Sequence, residues 1–394
     1  MLSTLFQCKY NSNYTFEVYN SMKSIDIDVW NGLNVKENIY LSTEYLTAFE
    51  KGMNDTIHFR YLIFKNKENE PVGCAVFQIV TFRPSQLLQD RIPCSISNKI
   101  KTFFLEETDV KLLICGSLFA CGEVGFIHNN SISNKDFFSI LSESIAEIQN
   151  TKLEDSKISF CLLKEFWPNS VSSETLRKNN SFLNFDIDVN MILQIDKSWK
   201  VFDDYLGAMN TKYRTRAKSV LKKSKQIKTK AFSVEDIMQN LEDIDSLYKQ
   251  ILSKAAYNLG VLEAKTFVEL KRELKDSFNF TGYFIEDKLI GFASAFIFGK
   301  IVDANYIGIN YRYVNEYKLY QRILYDYVEL AIVSQKSELR LGRTAETSKS
   351  GIGAKPVGMT LFAKHRNNLP SKLLKPLVKS IKPDVFELRQ PFKK

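Results

Sequence analysis

The chain has 394 residues, 44% hydrophobic and 25% charged, rich in Phe (29) and Tyr (18) and sparing in Gly (16) and Pro (9). Such a composition is ordinary for a soluble globular protein and argues against a disordered chain, and the length suits two domains better than one. The formal charge of +9 is uneven: residues 205–230 hold nine Lys/Arg and no acid, and residues 364–394 hold nine against Asp384 and Glu387. Two basic places on an otherwise acidic chain point to local anionic partners rather than to a general polycation.

In chain order, residues 1–35 read as an irregular or strand-like lead-in, and Thr43 as the cap of a helix running through Ala48. Alternation and apolar content predict strands at 59–65 and 72–82 around a polar turn, then a buried strand over 112–126 kinked at Gly116 or Gly122. Helical spacing follows at 134–149, then strands at 157–163 and 185–195. Residues 199–230 look helical with a basic face, and 236–257 and 266–278 continue as amphipathic helices. A second strand pair, 282–286 and 289–298, repeats the first down to Val72-Gly73 and Ile290-Gly291. Strand 301–309, helix 318–333 and strand 339–341 complete the series. The recurrence of strand, strand, strand, helix, strand argues for an α/β (α+β) chain of two similar halves, 1–198 and 199–394.

The most informative stretch is 339–365, LRLGRTAETSKSGIGAKPVGMTLFAKH. A strand breaks at Gly342, a polar run carries Arg343, Thr344, Glu346 and Lys349, and Gly351, Gly353 and Pro356 lead into a strand at 357–363. Glycines let backbone N–H groups approach a bound group, and Arg and Lys supply charge-assisted donors for phosphate or carboxylate. A glycine-rich hairpin connection with a solvated charge run accounts for the same residues. Three scattered histidines (His58, His128, His365) argue against a metal site, and neither G-x-S-x-G nor a Walker-type phosphate loop occurs. The cysteines form no CxxC pair, and Cys74, Cys115, Cys121 and Cys161 lie in apolar runs, which fits a reducing compartment. No signal-peptide pattern opens the chain and the longest apolar run, 289–299, is too short to span a bilayer, so a cytoplasmic location is expected.

The run GRTAETSKSGIGAKP resembles the C-terminal signature of tandem GNAT-fold acyltransferases of the Fem-like, peptidoglycan-biosynthesis type, whose Lys-x-Gly-x-Gly element matches Lys349, Gly351 and Gly353. The resemblance implies two tandem GNAT-like domains and transfer of an acyl or aminoacyl group to an amine. Acyl-CoA or aminoacyl-tRNA would be the co-substrate, with no bound cofactor. The acceptor would be an amine-bearing small molecule or cell-envelope precursor. Lys349 would hold a phosphate or stabilise an oxyanion, with Arg343 and Thr344 binding donor or substrate. Asp303 or Tyr306, on the strand expected to splay from its neighbour, would meet the amine. Lys212, Arg214, Arg216 and Lys218 resemble the basic helix that opens the second half of such proteins, a grip for phosphates or tRNA. The family's Arg/Gln-x-x-Gly-x-Gly phosphate loop is absent, since 310–322 reads NYRYVNEYKLYQR. Two other readings remain: a lipid N-acyltransferase whose basic stretch 369–383 touches a membrane, and a non-catalytic protein binding RNA or another anionic partner.

Overall fold

Capped amphipathic helices and strands of alternating or wholly apolar sequence build this chain, and their pairing sets its divisions. The computed structural model describes residues 4–33, 35–82, 109–153, 156–178, 182–254, 260–367 and 386–393; the basic stretch 369–383 and Cys94 lie outside them. The chain divides into two compact units. One is Met1–Ile187 with Tyr257–Leu262 and Gly358–Pro383; the other is Asp188–Ala256 with Glu263–Val357 and Asp384–Lys394. The chain thus passes between units more than once, where the sequence suggested a single passage near 198. Hydrogen bonding is the reason: residues from Thr360 to His365 pair antiparallel with Phe166 back to Phe160 in the first unit.

In the first unit β1 (Phe6–Lys9), β2 (Tyr14–Tyr19), β3 (His58–Asn66) and β4 (Pro71–Phe82) form an antiparallel series, with α1 (Ile27–Asn31) and α2 (Thr43–Met53) between β2 and β3. Ser42, not Thr43, caps α2, accepting from the Tyr45 N–H. β5 (Val110–Cys115) and β6 (Phe126–His128) both pair with β4, so the single kinked strand expected over 112–126 is two strands parted by a loop. Helix α3 (Asn134–Asn150) buries Phe137, Ile140, Leu141, Ile145 and Ile148 against Phe16, Leu62, Phe64 and Phe77. The short strand β7 (Lys152–Leu153) leads to β8 (Ser156–Phe166), parallel to β5, and α4 (Val171–Arg177) follows.

The second unit starts within β9 (Leu183–Gln194) and continues through α5 (Phe202–Ala208), α6 (Thr211–Lys223), β10 (Lys228–Ala231), α7 (Val234–Gln239), α8 (Leu241–Leu252) and α9 (Lys265–Leu274). Strands β11 (Phe278–Ile285), β12 (Lys288–Phe298) and β13 (Ile301–Ile309) are antiparallel neighbours. Helices α10 (Tyr311–Tyr317) and α11 (Leu319–Val333), strand β14 (Glu338–Arg340), helix α12 (Glu346–Ser350) and strand β15 (Lys355–His365) complete the chain. The sheet order is β9-β14-β13-β12-β11-β10. The helix expected from 318 is α11, which follows directly on Lys318 (φ 57°), and α10 before it was not foreseen. No helix among the described residues is long and apolar enough to cross a membrane.

Candidate functional site

β13 pairs parallel with β14 only at Ile301–Glu338, Val302–Leu339 and Asp303–Arg340. β14 then follows β9 instead: the Leu341 N–H bonds the Met191 carbonyl (2.9 Å), and the Met191 N–H bonds the Gly342 carbonyl (3.0 Å). Past Asp303, β13 therefore has an edge that no described strand pairs. The Tyr306 N–H bonds Ser294 Oγ (3.2 Å) and the Asn310 N–H bonds the Ile290 carbonyl (2.9 Å), both toward β12. By the two-residue alternation of a strand, the N–H groups of Ile307 and Ile309 face the other way, onto the open edge. The β12–β13 register also shifts between Ala293 and Ala295. There the fully buried Ser294 donates to the Tyr306 carbonyl (3.1 Å) as well as accepting its N–H, so one hydroxyl pins the irregular backbone.

The signature stretch lies beyond β14. Gly342 (φ 67°), Thr344 (φ 62°) and Ala345 (φ 53°) adopt left-handed backbone, two of them without glycine's freedom. The polar run expected as an open loop is instead helix α12. Lys349 is 5% exposed and its ammonium donates to the Arg343 carbonyl, joining two of the predicted site residues. The solvated-lysine reading does not fit that burial. Gly351 and Gly353 close the helix, and a side chain at Gly353 (φ 101°) would overlap the Phe392 ring. The second glycine of the element is therefore fixed by packing within the protein.

Asp303, 2% exposed, stands at the last paired position of the β13–β14 ladder, beside Arg340. Tyr306 is 6% exposed, its ring edge-on to Tyr248 (6.5 Å) and near Phe267 (5.5 Å). On α6, Lys212, Arg216 and Lys218 are exposed and Arg214 is half-buried; the helix packs against α10 and α11. Lys212 and Arg216 flank the Tyr213 ring at 5.9 and 5.7 Å, and Arg216 lowers the pKa of Tyr325 on α11, although burial leaves that phenol raised to about 12.

Sequence reasoning missed Ser294, Asn310 and Tyr320, and it gave Glu346 no role. The only signal for Ser294 is a hydroxyl inside an otherwise apolar strand, LIGFASAFIF. Asn310 follows β13 where the family's phosphate loop would begin, and its side chain accepts from the Arg312 N–H (3.1 Å), capping α10 with the protein's own oxygen. Burial raises the Tyr320 phenol, and the nearby Glu346 carboxylate and Tyr311 push it the same way. The Lys254 ammonium sits 3.4 Å from the centre of the Tyr311 ring. A separate shallow cavity in the first unit, lined by Met22, Lys23, Thr47, Glu50, Lys51 and Asn54, contains none of the predicted residues.

No protein-family model matches the chain, and no curated protein matches it in sequence. Solved structures do resemble it. The crystal structure of FemX aligns over 90% of this chain and 98% of its own at 12% identity, with a TM-score of 0.52. The C-terminal DUF2156 domain of a putative lysylphosphatidylglycerol synthetase from Agrobacterium fabrum aligns over 92% and 97% at 8% identity, TM-score 0.51. A conserved protein of unknown function from Bacteroides thetaiotaomicron aligns over 86% and 98% at 9% identity, TM-score 0.50. The likeness is one of fold, and it agrees with the Fem-like α/β fold that the Lys349–Gly353 element suggested.

Proposed function

We propose that the chain is an acyltransferase that moves an acyl or aminoacyl group onto an amine at the open edge of β13. The observation that carries this reading is the three-residue β13–β14 ladder, which leaves the Ile307 and Ile309 N–H groups directed away from β12. Such donors suit the carbonyl of a bound thioester or ester. As the amine nitrogen bonds to the carbonyl carbon, the carbonyl oxygen gains charge that the N–H groups stabilise; the C–S or C–O bond then breaks and the amine loses a proton. Glu346 joins Asp303 and Tyr306 as a candidate to take that proton, and Tyr320, whose phenol burial keeps protonated, is the candidate to give one to the departing sulfur or oxygen. Lys349, with Arg343, Thr344, Gly351 and Gly353, shapes the far wall, and Lys212, Arg214, Arg216 and Lys218 hold the donor's phosphates.

The Asn310 cap favours a donor other than a CoA thioester, because it meets the Arg312 N–H at the head of α10 with a side chain from the chain itself. An aminoacyl-tRNA, gripped by α6, is then the better fit, with a cell-envelope precursor as acceptor. The lipid N-acyltransferase reading draws on the basic stretch 369–383. The non-catalytic reading draws on α6, whose predicted cations take part in none of the ion pairs observed among the described residues.

The test is ligand-induced thermal stabilisation against acyl-CoA species and charged tRNA, followed by turnover with an amine. Stabilisation by charged tRNA and not by CoA thioesters is expected. Stabilisation by a CoA thioester alone would overturn the choice of donor. Steeply salt-dependent RNA binding without turnover, unchanged by Lys349→Met, would replace the enzyme with the binding protein.

A further inference from the structure

The last described segment, 386–393, runs between two places that the transferase reading uses separately. At one end the Arg389 N–H bonds Ser350 Oγ (3.2 Å), and Ser350, fully buried, closes the helix that carries Lys349. At the other end the Asn210 N–H bonds the Pro391 carbonyl (2.8 Å), the Asn210 side-chain amide donates to the Phe392 carbonyl (3.0 Å), and the Lys393 N–H bonds the Ala208 carbonyl (3.3 Å). Asn210 is the residue before α6, the basic helix, and makes no side-chain cap for it. Its amide is given to the tail instead.

Phe392 belongs to the second of these ends. Its ring fills the space that a side chain at Gly353 would need, and it packs on Trp199 (5.4 Å) and Tyr205 (5.8 Å). The Tyr205 hydroxyl in turn donates to the Ile352 carbonyl (2.9 Å), so α5 also reaches the end of the signature helix through the same aromatic group. A backbone bridge from Met209 to Phe392 completes the attachment. A glycine with positive φ under an aromatic ring, a buried hydroxyl and a side-chain amide all meet one short segment. A tail that merely lay on the surface would need none of them.

We infer that residues 386–393, with Phe392 as the positioning residue, form an in-chain clamp that sets the end of the signature helix against the head of the basic helix. Its chemical logic is that two elements gripping different parts of one substrate must keep a fixed separation, since a displacement of an ångström lowers rate steeply. That these elements serve donor and acceptor rests on the transferase reading; the clamp does not.

The test therefore reads structure without substrate. Amide hydrogen exchange is followed by mass spectrometry in the full chain, in Ser350→Ala, in Asn210→Ala, and in a chain ending at residue 385. Ser350→Ala is expected to lower protection at 210–216 at least threefold, and Asn210→Ala to do the same at 346–353. Both cross-effects should vanish in the shortened chain. Should the shortened chain not fold, Phe392→Leu takes its place, with the cross-effects at least halved, a red-shifted Trp199 emission as its signature, and Phe392→Tyr restoring both. Cross-effects that are absent from the full chain, or that survive loss of the clamp, overturn the inference. Intact coupling in a protein that shows no transfer would leave the clamp standing and remove the transferase.

Discussion

The two halves part company at one strand position. Four residues after Val72 stands Val76, and four after Ile290 stands Ser294. Val76 bonds Gly116 with its carbonyl (2.9 Å) and Gly125 with its N–H (2.8 Å), so the chain makes a long excursion before β6 resumes the pairing. At Ser294 the neighbouring strand deviates only locally and a hydroxyl holds the irregularity. The parallel ladders differ in the same sense. β5 is paired with β8 from Lys111 to Cys115, essentially its whole length, whereas β13 loses β14 after Asp303. In the first unit the space beyond the ladder is taken by Lys164, whose ammonium donates to the carbonyls of Ser117 (3.2 Å), Leu118 (2.9 Å) and Ala120 (3.1 Å). One architecture thus gives a strand edge closed by its own lysine and a strand edge left open. Chemistry is to be sought at the second.

Breaking the closed edge should have the largest effect. Lys164→Met removes a buried ammonium from three carbonyls and from Glu165, which is 0% exposed, and should cost about 3–5 kcal/mol of the first unit's stability in denaturant unfolding. A melt within about 0.5 kcal/mol of the parent's would show that the lysine does not close the edge. Giving the open edge the other half's residue, Ser294→Val, should cost about 1–3 kcal/mol by stranding the Tyr306 backbone. The same change should lower turnover roughly tenfold or more by misaiming the β13 donors; unchanged turnover would detach the bulge from the site.

A pH series sharpens the contrast between a buried cation in one half and a half-buried acid in the other. Burial raises the Asp326 pKa despite Arg322 and the Tyr283 hydroxyl, which lower it. The folded protein therefore keeps that proton where the unfolded chain has lost it. The associated stability is full below the unfolded carboxyl pKa and is lost as pH rises through the raised folded value. Asp326→Asn should flatten this fall, as seen in denaturation midpoints across the acidic range; an unchanged slope would mean another group sets it. The smallest effect should be Gly207→Ala on α5, where an added methyl meets nothing within 4 Å: a gain of at most about 1 kcal/mol in thermal unfolding.

Much of the framework was legible because period and burial coincide. Strand 301–309 reads the same in sequence and structure, and the amphipathic α3 follows its apolar spacing. Helix α10 was not legible, since Tyr311–Tyr317 buries no residue fully and so carries no core-facing apolar stripe. Nor was the splitting of 112–126, because Gly116 and Gly122 permit a kink and a loop equally. At the candidate site, Lys349, Arg343 and the glycines were visible by motif, but the motif could not say that Gly353 answers to Phe392, far along the chain. Ser294 was invisible for the opposite reason: its role depends on a register shift, and register is not written in one strand.

The pairing of β15 with β8 has a consequence for how the protein is made. The first unit's core includes Phe362, fully buried, which the ribosome delivers long after Leu163, its partner on β8. At roughly 5–20 residues per second, the unit that begins first must wait tens of seconds for its last strand. Until then β8 presents bare backbone to its surroundings. The later unit receives all its strands up to β14 while the earlier one still lacks its last.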